Sequence, residues 1–141
     1  MTKVVETRRV AEDADALWAN IGKFGAVGEW HPMLAGVDSE GEREGCLRVA
    51  KGQDGSRQTE RLLETEPEHH LYRYRMEETA MPVRHYSAEF RVDDNGDGTS
   101  TVVWSAVFEP MPDGSKAVEV IRQFLKAGLD NISSMHGGAT A

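Results

Sequence analysis

The stretch from Val83 to Pro110 constrains the fold more than any other. From Tyr86 the even positions Tyr86, Ala88, Phe90 and Val92 are apolar while His85, Ser87, Glu89 and Arg91 are polar, which is the period of a half-buried strand. After the turn Asp94-Asn95-Gly96-Asp97-Gly98, Val102, Trp104, Ala106 and Phe108 repeat the pattern on a second strand. Two long antiparallel strands therefore present one aromatic face, and something must cover it. The only segment long enough runs from about Gly114 to Met135. At about 100° per residue, Phe124, Ala117, Met135, Gly128, Ile121, Ile132, Leu125, Val118 and Leu129 fall within one arc of roughly 140°, and Glu119, Lys126, Asp130 and Ser133 lie opposite. Asp113 or Ser115 is expected to cap this helix and Gly137-Gly138 to end it. Gly128 sits inside the apolar arc, where it costs about 1 kcal/mol relative to alanine. Either a strand backbone passes close there or a space is left open.

Upstream, Thr2 to Val10 reads as a first strand. Asp13 caps a helix carrying Ala14, Leu17, Trp18 and Ile21, and Gly22 is expected to stop it in a left-handed conformation. Phe24 to Trp30 allows one or two helical turns before Trp30-His31-Pro32 forces the chain to extend. Strands are expected at Met33 to Glu40, Gly45 to Ala50, Arg57 to Glu66 and Leu71 to Met76, with turns at Pro67-Glu68-His69 and Glu77 to Pro82. The connection around Lys51 to Ser56, with two glycines, is a solvated loop. The expectation is α+β: seven antiparallel strands, two short helices after the first strand, and one long last helix.

At 141 residues the chain fits one domain spanning 1–141. A net charge of −8 disfavours nucleic acid and anionic membrane surfaces. No apolar leader or membrane anchor opens the sequence, so a cytoplasmic protein is expected. One cysteine, Cys46, excludes an internal disulfide and any multi-cysteine metal site. Asp93, Asn95, Asp97 and Gly98 match the start of an EF-hand loop, but Trp104 stands where its bidentate glutamate is required. On a strand, adjacent His69 and His70 would point to opposite faces, and they are expected as solvated turn histidines; His31, His85 and His136 have no ligand spacing. Neither a metal nor a cofactor is expected. Glu60 shares a strand face with Gln58 and Leu62. If Leu62 points inward, Glu60 enters an apolar interior, where an unpaired carboxylate is costly and its pKa rises. If Leu63 does, Glu60 is a surface group paired with Arg73 or Arg75.

Leu17-Trp18, Trp30-His31-Pro32, Thr59-Glu60-Arg61-Leu62, Tyr72-x-Tyr74, Pro82-Val83-x-x-Tyr86 and Trp104-x-x-x-Phe108 occur in an order and spacing that resembles the START-related helix-grip superfamily (SRPBCC), particularly its polyketide cyclase/dehydrase-like branch. The likeness spans nearly the whole chain. It implies a helix-grip fold, a curved seven-stranded antiparallel sheet wrapped around the C-terminal helix, with a hydrophobic cavity between them. The Thr-Glu-Arg-Leu run is shared with the plant abscisic-acid receptors, which implies that Glu60 points into the cavity, and Tyr86 resembles a cavity-lining tyrosine there. The receptors' Ser-Gly-Leu-Pro-Ala gate motif is missing from the loop Lys51 to Ser56. The residues expected around a ligand are Trp30 and His31; Glu60, Leu62 and Tyr74; Tyr86, Ala88 and Trp104; and Ile121, Phe124, Leu125 and Gly128. The first reading is a protein that binds a small hydrophobic or aromatic molecule. The alternative is a cyclase or dehydratase with Glu60 as general base and Tyr74, Tyr86 or His31 donating to an oxyanion. A partner-binding domain with a collapsed cavity is a third. Monomer and homodimer are both open.

Overall fold

The computed structural model describes residues 1–112, 114 and 116–137. Strands β1 (Thr2–Val10), β2 (Leu34–Ser39), β3 (Leu47–Gly52), β4 (Arg57–Glu66), β5 (Leu71–Thr79), β6 (Val83–Asp94) and β7 (Ser100–Pro110) form one antiparallel sheet in the order β1-β7-β6-β5-β4-β3-β2. Helices α1 (Ala14–Ile21) and α2 (Val27–Trp30) follow β1, and α3 (Ala117–Met135) closes the chain. This is the expected helix-grip arrangement. No helix among the described residues is long and apolar enough to cross a membrane.

The β6–β7 hairpin has the expected phase: Tyr86, Ala88, Phe90, Val92, Val102, Trp104, Ala106 and Phe108 are all buried. Phe90 lies directly opposite Trp104 across the two strands. A register shift between Arg84 and Ser87 accompanies His85 at φ 55°, a bulge that bends the strand where the alternation begins. Val103 departs from the simple alternation, since it is only 6% exposed on the outer face. Strand β5 runs three residues further than expected, to Thr79.

Asp13 Oδ2 accepts from the backbone N–H groups of Asp15 and Ala16 at 3.2 and 3.3 Å, as a helix cap should. Gly22 is not left-handed but right-handed, with φ −81°. Glycine is needed there for a different reason: a Cβ would meet the Trp18 ring 2.3 Å away. On α3 the buried residues are Ala117, Ile121, Leu125, Gly128, Leu129, Ile132 and Ser133. Met135, placed inward by the helical arc, is 52% exposed, and Ser133, placed outward, is buried. Asp113, Ser115 and Gly138 lie outside the described residues, and Lys116 precedes the helix with no side-chain cap. Ion pairs Arg122–Glu6 at 2.7 Å and Arg8–Asp130 at 3.2 Å fasten α3 across the edge strand β1.

Candidate functional site

The interior is built from rings. Trp30 stacks on Phe90 with centroids 5.2 Å apart, and Trp104 meets both edge-on at 5.5 and 5.4 Å. His31 is buried where the chain leaves α2, and its ring lies flat on Phe124 at 4.0 Å. His31 Nε2 is 2.8 Å from the Phe124 carbonyl, and Nδ1 accepts the Met33 N–H at 3.2 Å. A backbone donor at Nδ1 and a backbone acceptor at Nε2 assign the neutral Nε2–H tautomer. Burial pulls its pKa down to about 4, against a smaller upward pull from the bond to Phe124, with Arg48 adding to the decrease.

Gly128 is what lets His31 approach the helix. A Cβ there would lie 2.7 Å from His31 Cδ2, 2.9 Å from Trp104 Cζ3 and 3.0 Å from Trp30 Cζ3. The glycine does not leave a hollow for a ligand and no strand backbone presses on it. Three of the protein's own rings fill the space.

Glu60 points inward, 5% exposed, and is not paired with Arg73 or Arg75. Its partner is Arg48, directly opposite on β3, whose Nε donates to Glu60 Oε1 at 2.6 Å. Arg48 Nη1 donates to the Phe24 carbonyl at 2.6 Å and the Tyr72 hydroxyl at 3.2 Å. Its guanidinium also lies over the faces of Phe24 at 4.1 Å and Tyr74 at 4.6 Å. Burial alone would lower the Arg48 pKa, but the Glu60 carboxylate and the tyrosine oxygens outweigh it and the net shift is upward. Trp104 Nε1 donates to the Tyr74 hydroxyl at 3.1 Å. Burial, and next the nearby Glu60 charge, raise the pKa of both Tyr74 and Tyr86, so both stay protonated at neutral pH.

Two hollows lie on the α3 side of the sheet near this network. The inner one, beside Arg48, Glu60, Tyr74 and Trp104, holds only about 10 Å³, room for about one water. The larger, about 370 Å³, lies at the mouth between α3 and the β3–β4 loop. Pro32, Met33, Leu34, Met81, Val120 and Phe124 give it apolar walls, and Gln53, Asp54, Ser56 and Gln58 give it a polar side. Aromatic side chains fill much of the space where the interior cavity is expected, and the roomier of these two hollows lies outside them. Glu60, Tyr74, Trp104 and Phe124 border the inner hollow, and of the expected ligand contacts only Phe124 borders the mouth. Trp30, His31, Leu62, Tyr86, Ala88, Ile121, Leu125 and Gly128 border neither. The loop Lys51 to Ser56 supplies one lip and is tied to the other, since Gln53 donates its backbone N–H to the Met33 carbonyl at 2.9 Å and its Nε2 to the Leu34 carbonyl at 3.2 Å.

Arg48 escaped the sequence reading because its neighbours Leu47 and Val49 are the large apolar residues of β3, yet they are less buried than Arg48 and Ala50. A signal was present: folding the chain about Asp54 sets Arg48 opposite Glu60. The EF-like turn uses its carboxylates on itself, with Asp94 Oδ1 accepting from Gly96 N–H and Asp97 Oδ1 from Thr99 N–H at 2.8 and 3.0 Å. Glu66, Glu68 and His69 bring ligand atoms within 4.8 Å of one another on the turn after β4, an exposed acidic cluster of the kind proteins carry without a metal.

A sequence profile described as polyketide cyclase / dehydrase and lipid transport matches residues 1–134. No curated protein sequence matches the chain. Among solved structures, XoxI of Bacillus cereus superposes with a TM-score of 0.89 at 23% identity, over 96% of both chains. An uncharacterised protein of Bacillus thuringiensis gives 0.87 at 23% identity, over 95% of this chain and 98% of its own. Norcoclaurine synthase of Thalictrum flavum, solved with dopamine and hydroxybenzaldehyde, gives 0.74 at 20% identity, over 95% of this chain and 85% of its own. At these identities the likeness is one of fold.

Proposed function

Because the chain belongs to the polyketide cyclase / dehydrase and lipid transport family, we propose that it is a binding protein for a small apolar or aromatic molecule, held in the mouth pocket. The observation that carries this reading is the pocket itself. Its volume of about 370 Å³ lies at the lower end of small-molecule sites, and it combines an apolar wall with a few polar groups on one side, as such sites do. Met33 and Val120, both on its wall, are among the few large apolar side chains left exposed. That a protein of this fold has been solved with two small aromatic compounds fits the same class of ligand.

The catalytic alternative has less support. A general base needs a free lone pair aimed at substrate. Glu60 Oε1 is bound to the Arg48 guanidinium at 2.6 Å, which leaves Oε2 alone over, and both nitrogens of His31 are engaged by backbone groups. Arg48, His31, Tyr72, Tyr74 and Trp104 thus bond to the backbone, to Glu60 or to one another.

Titration with the neutral dye N-phenyl-1-naphthylamine tests the binding reading. Saturable binding at one site is expected, with a rise in dye fluorescence. Val120→Trp fills the mouth from a partly exposed helix position, and should weaken the dye at least tenfold while leaving the melting temperature within a few degrees. Dye uptake that does not saturate, or that ignores Val120→Trp, overturns the assignment.

A further inference from the structure

The two hollows share two residues, Leu34 and Phe124, which line both. Each therefore presents one side to the mouth and the other to the Arg48–Glu60 pair. Phe124 is only partly buried and adjoins the roomy mouth, so its ring has somewhere to go. Swinging outward would vacate a slot flanked by His31, on which Phe124 now stacks at 4.0 Å, and Trp104, which meets it edge-on at 5.7 Å. A slot with a ring face on one side and a ring edge on the other suits another aromatic ring, which restores the contacts Phe124 gives up.

The floor of that slot is polar and pre-built. Arg48 spends Nε on Glu60 Oε1 and Nη1 on Phe24 and Tyr72, and these bonds leave Arg48 Nη2 and Glu60 Oε2 over as a donor and an acceptor of the same pair. Both residues border the inner hollow. A donor beside an acceptor matches a hydroxyl, which accepts from the guanidinium and donates to the carboxylate. A ligand carboxylate would meet the like charge of Glu60, and an ammonium that of Arg48. We propose that Phe124 and Leu34 form a movable partition between the mouth pocket and an inner subsite at Arg48–Glu60, and that this subsite takes the hydroxyl of a phenol-type aromatic ligand. The inference rests on the mouth pocket being a ligand site.

Three compounds of one shape test it by calorimetry at pH 7: 2-naphthol, 2-methoxynaphthalene, which can accept but not donate, and 2-methylnaphthalene, which can do neither. The expected result is that 2-naphthol binds at least tenfold more tightly than the other two. Ala50 borders the inner hollow and not the mouth. Ala50→Val should therefore remove the preference while leaving the affinity for 2-methylnaphthalene unchanged. Should that variant not fold, nuclear Overhauser contacts between 2-naphthol and the Ala50 methyl in the native protein replace it, and these are expected. Equal affinities, a preference that survives Ala50→Val, or no such contact overturns the inner subsite. In each of those cases binding that is lost in Val120→Trp leaves the mouth site standing. If none of the three compounds binds, the mouth site and the subsite fall together.

Discussion

A helix-interior glycine is a local weakness worth about 1 kcal/mol, and at position 128 it is kept because His31 needs the space. Gly128→Ala gains helix propensity and still should destabilise by about 1–3 kcal/mol, because the added methyl overlaps three rings that are themselves packed. A variant as stable as the parent by urea titration would show that the rings can give way. His31 itself links the same spot to pH. Its folded-state pKa of about 4 lies below the ordinary 6.5, so as pH falls the unfolded chain takes the proton first. Stability from keeping His31 neutral is complete above about pH 6.5, drains between there and about pH 4, and levels off below. The loss should total about 3 kcal/mol. His31→Gln, which keeps a donor for the Phe124 carbonyl, should lack that part of the slope. Parallel pH profiles of unfolding free energy for the two proteins would refute the shift.

At the scale of strands, the even positions of β6 and β7 were legible because alternation in a sheet is rigid: one residue of slip would expose Phe90, Trp104 and Phe108 together. Trp104→Ala should cost roughly 3–5 kcal/mol. Val103→Thr should cost less, about 1–2 kcal/mol, although not nothing, since Val103 is also covered. Equal losses in thermal melts would contradict the strand phase. Strand β3 was not legible by the same rule. An arginine is placed outside by any hydrophobicity pattern, and it points inward here because the carboxylate opposite it on β4 compensates the charge. Arg48→Met alone should destabilise by about 3–5 kcal/mol by stranding Glu60, whereas Arg48→Met with Glu60→Leu should recover much of that. Additive losses would mean that the pair does not act as a unit.

For the molecule as a whole, the order of elements follows from periodicity and turn residues, and so does the helix that must cover an aromatic sheet. Where the hollow lies does not follow. Free volume is a small difference between the space enclosed by the backbone and the volume of the rings inside it, and it depends on side-chain orientations that no pattern of polar and apolar letters records. Here Trp30, Trp104, Phe90, Tyr72 and Tyr74 fill the grip, a small hollow is left beside them, and a roomier one opens at the mouth beside Phe124. Stability and capacity are then set against each other at one side chain. Removing it with Phe124→Ala joins the mouth to the inner hollow, forfeits the stack on His31, and should cost about 2–4 kcal/mol of unfolding free energy. The same change should let the enlarged pocket bind N-phenyl-1-naphthylamine more tightly than the parent does, because the ring no longer has to be displaced. Dye titration and urea unfolding on the one variant read both signs. Loss of stability together with loss of dye binding would show instead that the Phe124 ring is a wall the mouth pocket requires.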